Sequence, residues 1–251
     1  MITVSKTKRA SEFIGLLKKL SSMTTDAVVS VSNERMIIEG MDDRKVRLFH
    51  IEIPREYFDE YNVSEDTVFG LNLADIRKVR AVMKEGFKMI IDSDKIQINV
   101  FGENSIRVYV FGMEEWEDMP ADTVMTPSID YRNYAIVPTK VFVDNVKSLA
   151  KFTDRILITI SGEGLLVSGG TDRRYIVLKM TTETLGDNIT CVKNDDIVRA
   201  KFNLKYLLDI LRILRASKKL KVSLNTDYPL RLDGDFYGYG RLVFFQAPIC
   251  D

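Results

Sequence analysis

Three pairs of landmarks recur along this chain at an almost constant interval. Phe13 and Leu17 lie on the apolar face of one expected helix. They correspond to Phe142 and Val146, 129 residues on. Thr25-Asp26, which opens an expected strand, corresponds to Thr153-Asp154 after 128 residues. Asn72-Leu73, which opens a second helix, corresponds to Asn203-Leu204 after 131. The chain has 251 residues, so each interval is close to half its length. The sequence therefore reads as two copies of one unit.

Each unit carries two helices and many strands. Helices are expected at 9–22, with Phe13, Leu16, Leu17 and Leu20 on one face, and at 73–84, with Ile76, Val79 and Met83. The second unit repeats them at 139–151, with Phe142, Val146 and Leu149, and at 205–219, with Leu207, Ile210, Leu211 and Leu214. Apolar residues at this spacing bury one face, and a sheet is the natural partner. Strands follow from alternation: Ile96, Ile98 and Val100 against Gln97 and Asn99, and Leu220, Val222 and Leu224 against Lys221, Ser223 and Asn225. Further short strands are expected at 27–32, 35–39, 46–53, 106–111, 156–160, 175–180 and 242–245. Asn33-Glu34, Gly162-Glu163-Gly164 and Asp233-Gly234 read as turns.

The residue inventory argues against most enzyme classes. The single histidine, His50, lies in the apolar stretch VRLFHIEI and reads as a strand residue. A histidine metal site or a Ser-His-Asp triad needs other convergent groups. Two cysteines, Cys191 and Cys250, make no disulfide framework. Gly238-Tyr239-Gly240 lacks the third glycine and the strand-to-helix setting of a dinucleotide loop. Ser148-x-x-Lys151 lacks its partner motifs. Asp42-Asp43 and Asp195-Asp196 are the nearest approach to the carboxylate cluster a metal-dependent nuclease would need. No apolar run approaches the roughly 18 residues of a membrane span, and the first residues lack the apolar core of a signal peptide. A soluble, intracellular protein without catalytic residues, metal or cofactor is the expectation.

Charge supplies the positive argument. The chain is neutral, with 36 Lys and Arg against 36 Asp and Glu. The four helical segments nevertheless hold fifteen bases and four acids, so they carry +11 and the remainder −11. Lys140, Lys147 and Lys151 fall on one helical stripe, Lys205, Arg212 and Lys219 repeat at seven, and Arg77, Arg80 and Lys84 stand three and four apart. With Lys18 and Lys19 of the first helix, this set suits a polyanion contacted through phosphate, which means duplex DNA bound without sequence preference. None of the helices begins with the cluster of base-reading side chains that sequence-specific recognition needs.

Between the copies runs an acidic stretch with Glu114, Glu115, Glu117, Asp118 and Asp122, broken by Pro120 and Pro127. It reads as an extended connector at 114–131, between an N-terminal domain at 1–113 and a C-terminal domain at 132–251. Trp116, within it, reads as a packing residue.

Several short motifs, in this order and spacing, resemble the proliferating cell nuclear antigen family of DNA sliding clamps, in its archaeal type. They are Gly40-Met41-Asp42, Asn72-Leu73, Asp227-Tyr228-Pro229-Leu230 and Phe244-Phe245-Gln246-Ala247-Pro248. The resemblance covers essentially the whole chain. It implies an α+β fold of two tandem clamp units, with antiparallel sheets outside and two helices per unit lining the hole of a ring. It further implies a trimer, of identical chains or with paralogues, that encircles duplex DNA and tethers polymerase, clamp loader, flap endonuclease and ligase through short peptides. Positive helices inward and negative sheets outward would confine DNA to the hole.

By the same resemblance, Lys18, Lys19, Arg77, Arg80, Lys84, Lys147, Lys151, Lys205, Arg212 and Lys219 would face DNA. Ile106, Val108 and Val110 on one strand, with Tyr175, Val177 and Lys179 on another, would join neighbouring subunits. Met41, Val46, Leu48, Ile129, Pro229, Phe245, Ala247 and Pro248 would form the peptide pocket, with Ile129, Phe245 and Pro248 at the surface. Lys45 stands where the family often has histidine, and Pro127 where leucine is common; both would touch the peptide pocket, so the resemblance does not fix partner preference. A checkpoint-type clamp subunit that signals DNA damage is the alternative function. The expected location is the cytoplasm, at the nucleoid, for an archaeal protein and the nucleus for a eukaryotic one.

Overall fold

The computed structural model describes residues 1–92, 94–113, 127–171, 173–192 and 197–249. Its first strands are β1 (Ile2–Lys6), β2 (Asp26–Val31), β3 (Arg35–Met41), β4 (Arg47–Pro54), β5 (Glu60–Val63), β6 (Thr67–Asn72), β7 (Gly86–Asp92), β8 (Lys95–Phe101) and β9 (Ile106–Gly112). The later ones are β10 (Tyr134–Pro138), β11 (Arg155–Ser161), β12 (Gly164–Thr171), β13 (Arg174–Met180), β14 (Thr190–Val192), β15 (Ile197–Asn203), β16 (Lys219–Ser223), β17 (Leu230–Phe236) and β18 (Tyr239–Gln246). Helices are α1 (Ala10–Leu20), α2 (Leu73–Ile76), α3 (Thr139–Leu149), α4 (Thr182–Leu185) and α5 (Leu204–Leu214). Two compact units emerge, one of residues 1–43 and 50–125, the other of 44–49 and 126–251. The connector residues 114–126, Trp116 among them, and Asp195, Asp196 and Cys250 lie outside the described residues.

The internal repeat is visible in strand order. In the first unit the sheets run β5-β1-β7-β8-β9 and β4-β3-β2-β6; in the second they run β14-β10-β16-β17-β18 and β13-β12-β11-β15. These are the same two orders with the copy exchanged, and the ladders are antiparallel in both units. The repeat extends to single hydrogen bonds. Leu73 N donates to Thr25 O at 2.6 Å, and Leu204 N donates to Asp154 O at 2.9 Å. Asn72 caps α2 by accepting from Ala74 N and Asp75 N, and Asn203 caps α5 by accepting from Tyr206 N.

Packing explains why the helices form. Phe13, Leu16, Leu17 and Leu20 are buried on α1, and Phe13 stacks on Phe87 with centroids 5.1 Å apart and meets Phe58 edge-on at 5.8 Å. Such aromatic pairs add about 0.5–1.5 kcal/mol beyond their burial. In the second unit Phe142, Val146 and Leu149 of α3 and Leu207, Ile210, Leu211 and Leu214 of α5 are buried.

Three expectations are corrected. The second helix ends at Ile76 instead of continuing to Lys84. Main-chain groups of 77–85 are committed elsewhere: Met83 O and Glu85 O accept from Arg9 N and Ala10 N at the start of α1, Arg80 N donates to the Tyr109 hydroxyl, and Val82 N to the Glu85 carboxylate. Met83, expected on the apolar face, is exposed. The last hairpin turns at Tyr237-Gly238, both at positive φ (54° and 86°), the geometry of a two-residue turn, and not at Asp233-Gly234. Gly234 sits inside β17 because a Cβ there would lie 3.0 Å from Leu214 Cδ2 and Ser217 Cβ, at the end of α5. Gly238-Tyr239-Gly240 accordingly belongs to a hairpin. The one-turn helix α4 has no counterpart in the sequence expectation.

Candidate functional site

The basic residues lie on the solvent side of the helices and on the turns that follow them. Lys19, Lys140, Lys147, Lys205 and Arg212 are exposed on α1, α3 and α5, and Lys18 is half-buried. Arg77, Arg80 and Lys84 are exposed but stand beyond the end of α2, so they form no helical stripe. Lys151 follows α3, and Lys219 opens β16. Lys18, Lys19, Lys147 and Arg212 stand in the last turns of their helices, where the helix dipole also favours cations, whereas Lys140 and Lys205 stand in the first turns of α3 and α5. Part of the positive charge is taken up locally. Arg77 binds the hydroxyl and main-chain oxygen of Ser21 at the end of α1. Arg212 meets Asp209 at 2.9 Å, and Arg215 meets Asp144 at 3.5 Å, which ties α5 to α3. Lys84, Lys140, Lys147, Lys151 and Lys205 have no ion-pair partner among the described residues, and so remain available to an external anion.

The strands expected to join subunits are both sheet edges. β9 closes one end of its five-strand order and β13 one end of its four-strand order. Ile106, Val108 and Val110 are 63%, 56% and 54% exposed; Tyr175 and Val177 are also exposed, as is Lys179. An edge strand with exposed β-branched residues invites strand addition. Behind β9, Arg107 donates to Glu85 Oε1 at 2.5 Å, and this bond holds the Glu85 carboxyl below its ordinary range. Arg107 therefore braces the 77–85 turn against the edge strand.

Within the second unit, three bonds tie down segments that carry several of the residues expected to bind peptides. The Tyr131 hydroxyl donates to Pro229 O at 2.7 Å, Ala247 N donates to Val46 O at 2.8 Å, and Ile249 N donates to Lys201 O at 2.8 Å. They hold Pro229 to Tyr131 at the end of the connector and Ala247 to Val46; Val46, Pro229, Ala247, Pro248 and Ile129 are all half-buried. Met41 belongs to β3 of the first unit. Phe245 is a correction: it is 3% exposed, not a surface residue, because the second half of β18, residues 242–246, is buried on both faces and the Arg231 guanidinium lies 5.5 Å from its ring centroid. Leu48, at 6%, is likewise buried.

Two polar clusters escape a reading of the sequence. Arg44 donates to the Tyr206 hydroxyl at 2.9 Å, while Arg47 lies 4.4 Å over the Tyr206 ring and 3.4 Å from Asp209, so the 44–47 segment is locked to α5. Arg231 grips Asp233 on the same strand face. Its signal, Arg-x-Asp within an alternating strand, is present in the sequence. His50 binds Glu39 and Glu52, as a structural strand residue would. Among the described residues no group of three His, Cys, Asp or Glu could hold a metal ion, and no helix is long and apolar enough to cross a membrane.

Comparison with known proteins bears on the family and the overall fold. Residues 2–121 match the family model for the N-terminal domain of proliferating cell nuclear antigen, and residues 125–249 match that for its C-terminal domain. DNA polymerase sliding clamp 1 of Pyrobaculum aerophilum is 25% identical over 246 residues, covering 95% of each chain. A DNA polymerase sliding clamp of Methanococcus maripaludis is 26% identical over 250 residues, covering 94% of this chain and 95% of its own. Among solved structures, the C-terminal region of FEN-1 bound to A. fulgidus PCNA superposes with a TM-score of 0.86 at 18% identity, over 100% of this chain and 99% of that one. PCNA from Thermococcus kodakaraensis gives 0.86 at 18%, over 99% and 100%.

Proposed function

The chain belongs to the proliferating cell nuclear antigen family, and from that premise we propose that it is a DNA sliding clamp. In this reading it forms a ring that encircles duplex DNA without reading its sequence, and tethers polymerase and other DNA-processing enzymes. The observation that carries the proposal is the duplicated unit, whose helices turn apolar faces to the sheets and leave lysines such as Lys147 and Lys205 solvated and, among the described residues, unpaired. Phosphate contacts of this kind are sequence-independent and release counterions. The edges β9 and β13 supply the means of closing a ring, with identical chains or with paralogues. Val46, Ile129, Pro229, Ala247 and Pro248 supply a surface for partner peptides from polymerase, clamp loader, flap endonuclease and ligase. The protein has no catalytic role in this scheme and acts at the chromosome, in the cytoplasm of an archaeal cell or the nucleus of a eukaryotic one.

The test is reconstitution. The purified chain, with its clamp loader, should raise the length of product made per binding event by a polymerase on primed circular DNA. Linearising the DNA should abolish the gain, because a topologically linked ring can slide off an end. A gain that is equal on short linear DNA would overturn encirclement.

A further inference from the structure

We propose that Arg231 is a specificity-determining residue of the peptide pocket, selecting partner peptides that carry a carboxylate beside their aromatic anchors. The inference rests on the pocket reading above. Arg231 lies on β17 directly across from Phe245 of β18. Its Nε and Nη2 donate to Asp233 Oδ2 and Oδ1 at 2.8 and 2.9 Å. That bidentate grip fixes the plane of the guanidinium.

The same carboxylate serves a second cation. Arg241 Nη2 donates to Asp233 Oδ1 at 2.6 Å. Two guanidinium groups thus share one carboxylate, and the cluster keeps a net charge of +1. A strand-face ion pair built only for stability would be complete with one arginine. The remaining nitrogen of Arg231, Nη1, finds no acceptor among the described residues. Its side chain is only 22% exposed, so its charge is less screened than that of a free surface arginine.

The position suits a ligand. Arg231 follows Pro229 by two residues, and Pro229 O is held by the Tyr131 hydroxyl at the end of the connector. Across the strand, Ala247 follows Phe245 by two and is bonded to Val46. A peptide seated on Pro229, Ala247 and Val46 would lie next to the strand face that carries Arg231. The nearby acid Asp130 does not cancel the charge, because Arg132 neutralises it at 2.8 Å. A rigid planar cation with donors to spare matches a carboxylate better than a lysine would. Charge complementarity therefore points to an acidic peptide side chain as the occupant.

The experiment uses synthetic peptides with an aliphatic residue and two aromatics, a Glu placed in turn at each flanking position, and the matching Gln peptide as reference. Affinities are measured by fluorescence anisotropy on the full chain. At one or more positions the Glu peptide should bind about three- to tenfold more tightly than its Gln partner, the scale of a partly desolvated charge pair. That advantage should shrink as salt rises. Arg231→Leu should bring the Glu and Gln peptides to equal affinity; leucine preserves cover over Phe245, and Arg241 still neutralises Asp233. Arg231→Lys should recover part of it. No Glu advantage at any position in the unmodified protein would overturn the proposal without recourse to any variant. So would an advantage that survives Arg231→Leu. If neither Glu nor Gln peptides bind, the pocket reading itself fails, and this inference falls with it.

Discussion

His50 Nδ1 lies 2.5 Å from Glu39 Oε1, and its other ring nitrogen lies 3.1 Å from Glu52 Oε1. The single histidine of the chain is thus clamped between two carboxylates on adjacent strands. The Glu39 hydrogen bond is the largest influence and raises the imidazole pKa; burial opposes it, and Glu52 adds to the rise.

The sign of the pH dependence follows. The unfolded histidine titrates near 6.5. In the folded protein it holds its proton to higher pH, so its contribution is fully present below about 6.5 and is lost as pH rises through the folded pKa. Urea midpoints measured from about pH 5.5 to 9 should show unmodified protein losing its advantage over His50→Gln across that rise. Proton NMR of the one imidazole should report a pKa above about 6.5. A value at or below that ordinary one would refute the clamp.

Assembly tests the edge strands. Proline cannot donate to a ladder, and a sheet edge is where a second chain would add. Val108→Pro in β9 and Val177→Pro in β13 should each lower the oligomer mass seen by light scattering, with the circular dichroism of each unit preserved. An unchanged mass in both variants would move the interface elsewhere.

The basic surface makes a prediction about salt. Removing one lysine–phosphate interaction should reduce the slope of log affinity against log salt by about 0.9. Lys147→Ala, Lys151→Ala and Lys205→Ala together should therefore flatten the salt dependence of ring retention on nicked circular DNA, whatever its sequence. Arg35→Ala with Lys95→Ala, on strands and not on the helices, should leave the slope alone. Equal effects from both sets would contradict a DNA-facing role for the helices.

The clarity of the sequence signal varies with how local its cause is. Asn72 and Asn203 announce helix starts because the cap is made by the residue itself, two and three positions from the groups it binds. The strand order is recoverable only as a repeat, since pairing such as β1 with β7 joins Ile2 to Ile91, far apart in the chain. The false extension of the second helix has a distant cause: Arg9, Ala10 and Tyr109 claim the main chain of 77–85. Gly234 misleads for a like reason, because it answers to Leu214 and Ser217 rather than to a turn. Phe245 resembles a surface residue from its place near the end of the sequence. Its burial depends on Arg231 and the neighbouring strand, which alternation alone does not reveal.

Burial of Phe245 also decides how the peptide pocket should be probed. A buried phenylalanine cut to alanine costs about 3–5 kcal/mol of stability, so Phe245→Ala would confuse weakened binding with weakened folding. Ile129 and Pro229 are half-buried and carry less of the core. Ile129→Ala with Pro229→Ala should weaken a peptide bearing an aliphatic and two aromatic anchors by about 1–2 kcal/mol per anchor. Thermal stability and ring mass should stay near those of the unmodified protein. Phe245→Ala, in contrast, should lower the melting temperature before any peptide is added. Calorimetric titration of the folded double variant provides the check. Unchanged affinity there would place the peptide on another surface, and a large drop in its melting temperature would show that Ile129 and Pro229 complete the core.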